Sequence, residues 1–286
     1  MTELLVGHSS FYLRSGWLKK GVEYIAKNSN ENIFSKNNTN TIDELGIGSV
    51  MVQSLKFWMT LLDIIERKNK EFYLKRDIKQ IIEVDPYLQK NNTLWLLHVY
   101  IMARDEEKEN PVLWNLFIKN KKNSVFSEEE GRNILNLFYK EKGESLSERS
   151  AKDSISVFIK TYYRERDTKS DPEDNLYSPF IRLKYLLKNE TSQYYFRNIE
   201  HKEIAEEIIF YLLKRKTKKL KQISVVDSYN YVNGIIKMRI SDYEKLISKL
   251  ENRDFLFVDR AAGLQNINII KEISEKEIIQ LILERE

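Results

Sequence analysis

Apolar residues recur every three or four positions along most of the chain, with polar stretches between them. The clearest case is the segment 48–62, where one set of side chains would line a single helical face. Its members are Met51, Val52, Leu55, Trp58, Met59 and Leu62. The preceding segment 41–45 predicts a shorter helix, and Gly46 predicts the turn between the two helices.

The pattern changes from helical spacing to two short strands directly after this helix. Ile64 and Ile65 predict one strand, and Phe72, Tyr73 and Leu74 predict the other. The turn between them is polar and basic, and it consists of Arg67, Lys68, Asn69 and Lys70. Helix, turn, helix and hairpin in this order are typical of a winged helix.

Helical spacing dominates the remainder of the chain as well. The segment 76–103 predicts two buried helices, and the residues near 181–188, 201–216 and 241–251 each predict one more. A strand or hairpin is predicted at 231–240. The sequence ends in an amphipathic helix, and the polar, proline-containing stretch 167–179 is the clearest candidate for a domain boundary.

Three pairs of residues predict capping boxes, in which a Ser or Thr side chain begins a helix and a Glu three positions later reaches back. The pairs are Thr41 with Glu44, Ser127 with Glu130, and Ser145 with Glu148.

These elements together predict a mostly α protein with small β-hairpins. We divide it into an N-terminal winged helix-turn-helix region at 1–76, a helical middle domain at 77–170 and an α+β C-terminal lobe at 171–286. Only 9 Gly and 4 Pro interrupt its 286 residues, which agrees with the helical pattern.

Composition narrows the possible functions. The chain has no cysteine, which excludes disulfides, thiol catalysis and cysteine-bound metal. The formal net charge of +4 allows a local nucleic-acid patch without arguing for one. No apolar run approaches the length of a membrane span, so a cytoplasmic protein without membrane contact is expected.

The second helix of the predicted winged helix is the first candidate for contact with DNA. Ser49 and Gln53 lie on its polar face and suit base edges, while Lys56 suits the phosphate backbone. The basic hairpin residues Arg67, Lys68 and Lys70 would contact phosphates. An alternative is that this face is covered by protein, because Val50 and Phe57 are expected on it too.

A second basic stretch occupies 214–221. Its candidate phosphate contacts are Lys214, Arg215, Lys218 and Lys219. The alternative is a solvated helix end, where positive side chains complement the helix dipole.

Catalytic patterns are weak. His8, His98 and His201 each stand alone, and His98 is expected as a hydrogen-bonded core residue. Asp85 with Glu106 and Lys108 only imitates the spacing of a metal-dependent nuclease. We therefore expect no catalytic residues, no metal and no cofactor. The four tryptophans are expected in the core.

Several blocks of the chain resemble the bacterial DUF family 4007, a family of unknown function. The resemblance runs from about residue 7 to residue 267, and it departs from the family at Phe57 and at the NYVNG stretch. The blocks are RSGWLKKG, LGIGSVMVQSLKFW, DPYLQKNNTLWLLH, SISVFIKTYYR, EDNLYSP and RAAGLQNI. The resemblance implies a bacterial cytoplasmic protein, often encoded near DNA-modification and phage-defence genes, including those for DNA phosphorothioation.

The resulting expectation is a non-enzymatic DNA-binding accessory or regulatory protein of such a system, with double-stranded DNA as its partner and other proteins of that system as further candidate partners. The alternative is an interaction scaffold that docks a partner enzyme through the winged-helix surfaces and the C-terminal helix. The apolar residues of that helix are Ile278, Ile279, Leu281 and Ile282.

Overall fold

A computed structural model of the chain describes ten stretches of residues: 2–3, 5–28, 33–34, 39–68, 71–103, 109–119, 125–165, 177–217, 222–260 and 265–285. Most of the described residues are helical. The α-helices are α1 (Trp17–Lys27), α2 (Thr39–Leu45), α3 (Ser49–Leu61), α4 (Arg76–Val84), α5 (Asn91–Met102), α6 (Val112–Trp114), α7 (Glu128–Glu141), α8 (Glu148–Tyr162), α9 (Glu206–Lys216), α10 (Val225–Asn233), α11 (Ile240–Glu251) and α12 (Glu275–Leu283).

The strands are short and form small sheets. They are β1 (Thr2–Glu3), β2 (Ile65–Lys68), β3 (Glu71–Leu74), β4 (Glu109–Asn110), β5 (Val125–Phe126), β6 (Leu186–Lys188), β7 (Tyr194–Phe196), β8 (Gln222–Ser224), β9 (Leu256–Asp259) and β10 (Asn266–Ile269). The sheet orders are β2-β3, β5-β7-β6 and β8-β10-β9, all antiparallel, and β1 pairs with β4 in parallel. The predicted class, mostly α with small hairpins, is confirmed.

The N-terminal elements follow the predicted order of helix, turn, helix and hairpin. Gly46 ends α2 with a φ of 61°, a left-handed conformation that glycine adopts without strain. The hairpin is fixed to the end of α3, because Ile64 N donates to Met59 O at 2.8 Å. At its base, the Lys75 Nζ lies 2.6 Å from an Asp63 carboxylate oxygen.

The buried face of α3 anchors this unit to the rest of the chain. Trp58 is fully buried, its indole N–H donates to Phe11 O at 3.1 Å, and its ring lies 6.2 Å from that of Trp114. All four tryptophans are buried, as expected. Phe57, which was expected on the polar face of α3, is only 6% exposed and contacts the His8 ring at 5.2 Å, so the chain itself covers this part of the face.

The centre of the molecule is α5, which is buried on every side from Thr93 to Met102. It packs against α9, α12 and a 3-10 helix at Pro179–Leu183. A helix that is apolar all round has this location because no face of it favours water. Buried apolar residues form one cluster from Leu5 to Leu283, and the division into three regions remains a prediction.

The C-terminal helix α12 is part of this core. Ile278, Ile279 and Ile282 are fully buried, and α12 packs against α4, α5 and α9. The expectation that this apolar face docks another protein is wrong, because the chain itself covers these side chains.

Two predictions of secondary structure in the C-terminal part are also wrong. The segment 181–188 is not one helix: Lys184, with a φ of 47°, ends the 3-10 helix, and β6 follows it. The segment 231–240 is the end of α10 and the start of α11. Its aromatic and β-branched residues favour strands locally, but α10 is capped by Ser224 and buries Ser228 and Val232 on one helical face.

Of the three predicted capping boxes, the one at Ser127 and Glu130 is confirmed. Thr41 instead lies inside α2, and its buried hydroxyl donates to Ile33 O at 2.8 Å. The cap of α8 is Ser147, two residues after the predicted position. The predicted boundary loop at 167–179 lies mostly outside the described residues.

Candidate nucleic-acid interface

The N-terminal end of α3 is open to solvent. Its first residue is preceded by Gly48, which offers no side-chain cap to the helix. Ser49 and Val50 are both exposed, and Val50 retains 53% of its surface. Uncapped N–H groups at a helix N-terminus carry partial positive charge. This end of α3 can therefore accept an anion beside Ser49.

Gln53, one turn further along, is half-buried. Its amide nitrogen donates to Phe34 O at 2.8 Å, so this predicted base-reading group is also used to hold the segment before α2. The side chain is therefore oriented before any ligand arrives.

The strongest feature of this surface is a pair of cations on one aromatic ring. The Lys56 Nζ of α3 lies 5.0 Å from the ring centroid of Phe72 on β3, and the Arg67 Cζ of β2 lies 6.0 Å from the same centroid. Arg67 and Phe72 are direct cross-strand partners, which places them on one face of the hairpin. The Phe34 ring supports Phe72 edge-on at 5.0 Å.

No residue in the described stretches compensates the positive charge of this pair. Neither Lys56 nor Arg67 forms an ion pair with any carboxylate in the part of the chain that the structure describes. Burial, and then the positive charge of Arg67, lowers the pKa of Lys56. We refer to Lys56, Arg67 and Phe72 as the cation pair site.

The rest of the hairpin carries mixed charge. Lys68 is exposed and forms an ion pair with Glu66 at 2.6 Å, so its charge is partly balanced. Both Arg67 and Lys68 lie within β2 and not at the hairpin tip as predicted. The predicted contact Lys70 lies outside the described residues.

The second basic stretch is largely tied into the fold where it is described. Lys214 donates to Ile273 O, and Arg215 donates to the Tyr211 hydroxyl at 2.7 Å and to Ala103 O at 3.3 Å. Both side chains are half-buried. Lys218 and Lys219 lie outside the described residues.

Two of the catalytic candidates, His98 and Asp85, have structural roles. His98 is fully buried between the Tyr162 hydroxyl and Ile235 O, as expected, and burial lowers its pKa to about 4. Asp85 accepts from the backbone N–H groups of Gln89 and Lys90 at 2.7 and 2.9 Å. Glu106 and Lys108 lie outside the described residues. Within the described ranges, no cluster of His, Asp or Glu could hold a metal ion.

Two features escaped sequence reasoning because they join residues far apart in the chain. Phe72 reads locally as a strand residue, and nothing in the sequence marks it as the support for Lys56. His201 pairs with Asp242 at 2.9 Å across 41 residues. Hydrogen bonds from His201 and Arg239 lower the pKa of Asp242 to about 2.

The fold and this surface define a mostly helical protein with a helix, turn, helix and basic hairpin at its N-terminal end. The chain belongs to the family described as "Protein of unknown function (DUF4007)", whose model matches residues 5–284. No curated protein matches the sequence. In the described part of the chain, every helix is too short or too polar to cross a membrane.

Two solved structures are similar over most of the chain. One is an SspB crystal structure, with a TM-score of 0.78, and the other is a magnesium ion-bound SspB crystal structure, with a TM-score of 0.80. Each is 18% identical to this chain, and the alignment covers 97% of this chain and 86% of the other. At this level of identity the similarity establishes the fold alone.

Proposed function

We propose that the protein binds double-stranded DNA as a non-enzymatic accessory or regulatory protein of a bacterial DNA-modification or phage-defence system. In this proposal the unit from α2 to β3 acts as a winged helix. Ser49 and Gln53 of α3 approach base edges, and the basic side chains of the hairpin contact phosphates.

The observation that carries this proposal is the cation pair site. Lys56 and Arg67 share one aromatic ring with no described carboxylate beside them, so their like charges repel each other, and partial burial of Lys56 adds a desolvation cost. A phosphate placed between Lys56 and Arg67 would relieve both effects, because charge-assisted hydrogen bonds to phosphate are strong. The open N-terminus of α3 supports the same choice of ligand.

The other basic residues take supporting roles. Lys68 and Lys70 extend the phosphate contact along the hairpin, and Lys214, Arg215, Lys218 and Lys219 are proposed as a secondary patch. Since Lys214 and Arg215 already donate to groups of the chain, we expect a smaller contribution from them than from the cation pair site.

The test is a titration of labelled duplex DNA at two salt concentrations with the Lys56→Ala and Arg67→Ala variants. Each substitution should weaken binding about tenfold at low salt and reduce the salt slope by roughly one. The matched control is Lys245→Ala, because Lys245 is exposed on α11, which packs against α9 and β9. Unchanged affinity and slope in both variants would reject this placement.

Two further titrations test the link to DNA modification that the family resemblance implies. Preferred binding to duplexes with phosphorothioate linkages would link the protein to that modification. Titrations with and without Mg²⁺ address the magnesium ion found in one similar structure. A non-enzymatic role predicts an intact duplex after incubation under both conditions.

A protein-interaction scaffold is the second candidate, and exposed Val50 at the start of α3 favours it. Since Ile278, Ile279 and Ile282 of α12 are buried, this candidate now depends on the proposed winged-helix surface. The absence of DNA binding in the wild-type protein would favour this candidate. Loss of a partner's binding in Val50→Ser, with Lys56→Ala unaffected, would then support it.

A further inference from the structure

A cavity of about 500 Å³ lies on a different part of the molecule from the cation pair site. Its walls are the last two turns of α8, the 3-10 helix at Pro179–Leu183 and the β6–β7 hairpin, and Tyr12 and Glu128 complete the lining. No sequence motif marks this cavity, because it assembles residues from five separate segments of the chain.

Three cations line the cavity. Lys160 lies in the last turn of α8 and has no acidic partner among the described residues. Arg164 follows the helix, and its Cζ lies 3.2 Å from the ring centroid of Tyr177. Stacking of this kind holds a guanidinium by its face. Lys188 of β6 forms an ion pair with Glu165.

The aromatic side chains form the second half of the lining. Tyr163 and Tyr194 meet at a centroid distance of 5.4 Å and an angle of 74°, so their rings form a corner. The Tyr194 hydroxyl donates to a carboxylate oxygen of Glu128 at 3.4 Å. Burial raises the pKa of Tyr194 to about 12, so the phenol remains protonated and a donor at neutral pH. Four tyrosines, including Tyr12 and Tyr177, line one cavity.

We propose that this cavity binds a nucleotide unit, with its phosphate on Lys160, beside Arg164, and its base against the ring of Tyr163. The cavity volume lies within the range of small-ligand sites, roughly 300–1,000 Å³. Bases stack on aromatic rings with little dependence on base identity, and arginine suits phosphate. A purely apolar ligand would offer no negative charge to Lys160, and a small inorganic anion would offer no ring to stack on the tyrosines.

The test is isothermal titration calorimetry of the full chain with AMP, GMP, CMP and UMP, and with inorganic phosphate and adenosine as half-ligands. At least one nucleotide should bind about tenfold or more tightly than either half-ligand, since both halves of the site contribute. A 5′-phosphorylated trinucleotide shows whether the bound nucleotide unit is free or part of a strand. If the trinucleotide binds more tightly than the mononucleotide, the natural ligand is the end of a single strand. If the two bind equally, the natural ligand is a free nucleotide.

Two variants and one control locate the site. Lys160→Ala and Tyr163→Leu should each weaken nucleotide binding about tenfold. Lys152→Ala, an exposed lysine two turns earlier on α8, should leave it unchanged. The proposal is overturned if no nucleotide binds, if phosphate alone binds as tightly, or if Lys152→Ala and Lys160→Ala have the same effect. Lys56→Ala should not alter nucleotide binding, which keeps this result separate from duplex binding.

Discussion

Replacing Tyr162 by phenylalanine should destabilise the protein because this hydroxyl connects two buried polar groups. The indole N–H of Trp114 donates to Tyr162 Oη at 2.8 Å, and the same hydroxyl lies 2.8 Å from Nδ1 of His98. The Nε2 of His98 lies 3.1 Å from Ile235 O, and a carbonyl can only accept. Nε2 therefore carries the proton, and Nδ1 accepts from Tyr162.

The size of the effect follows from the burial of the two partners. Trp114 is 1% exposed and His98 is fully buried, so water cannot replace the lost hydroxyl at the surface. A buried polar group left without a partner costs about 1–3 kcal/mol. Two such groups give an expected loss of about 2–6 kcal/mol in the free energy of unfolding, while the phenyl ring retains the packing of Tyr162.

The assay is urea denaturation followed by tryptophan fluorescence, together with thermal melting. A chain of this size should lose on the order of 5–15 °C in Tm for such a change. Tyr87→Phe is the matched control, because Tyr87 is 48% exposed and its loss should stay within about 0.5 kcal/mol. If Tyr162→Phe were as stable as Tyr87→Phe, the hydrogen-bonded chain from Trp114 to Ile235 would not contribute as described.

Two further predictions concern stability. Burial lowers the pKa of His98 to about 4 and of His8 to about 4, both from 6.5, so the unfolded chain binds more protons between these pH values. The free energy of unfolding should be retained above pH 6.5 and fall by about 3 kcal/mol per histidine as the pH drops to 4. His98→Gln should show about half of this pH dependence in urea titrations, and an unchanged dependence would contradict the assignment. Arg253→Ala should cost about 2–3 kcal/mol in the same assay, because Arg285 is then the one ion-pair partner of the fully buried Glu207 carboxylate among the described residues. Arg253→Lys should recover part of this loss, and equal stability of both variants and wild type would refute the role of this ion pair.

Much of the N-terminal architecture could be predicted because its signals are local. The periodic apolar residues of α3, the turn at Gly46 and the two arms of the hairpin lie within a few residues of each other. The capping box at Ser127 was predictable for the same reason. Residues of the candidate interface such as Lys56 and Arg67 could likewise be named from their place in this order of elements.

Predictions failed where distant contacts outweighed local preference. Phe57 lies on the polar side of α3 by sequence, but the N-terminal segment folds back and buries it against His8. The strand-like composition near Tyr231 gave way to a helix capped at Ser224. The apolar face of α12 resembled a docking surface, since the sequence does not show that α4, α5 and α9 cover it.

The sequence by itself determined the helical class, the order of the N-terminal elements and the absence of cysteine chemistry, because spacing and composition act over short distances. Only the tertiary structure decided which charges remain uncompensated. It brought Lys56 and Arg67 to one ring, bound Lys214 and Arg215 to groups of the chain, and brought four tyrosines to one open cavity. The reason is physical: whether a charge is paired or buried depends on neighbours that folding brings from elsewhere in the chain.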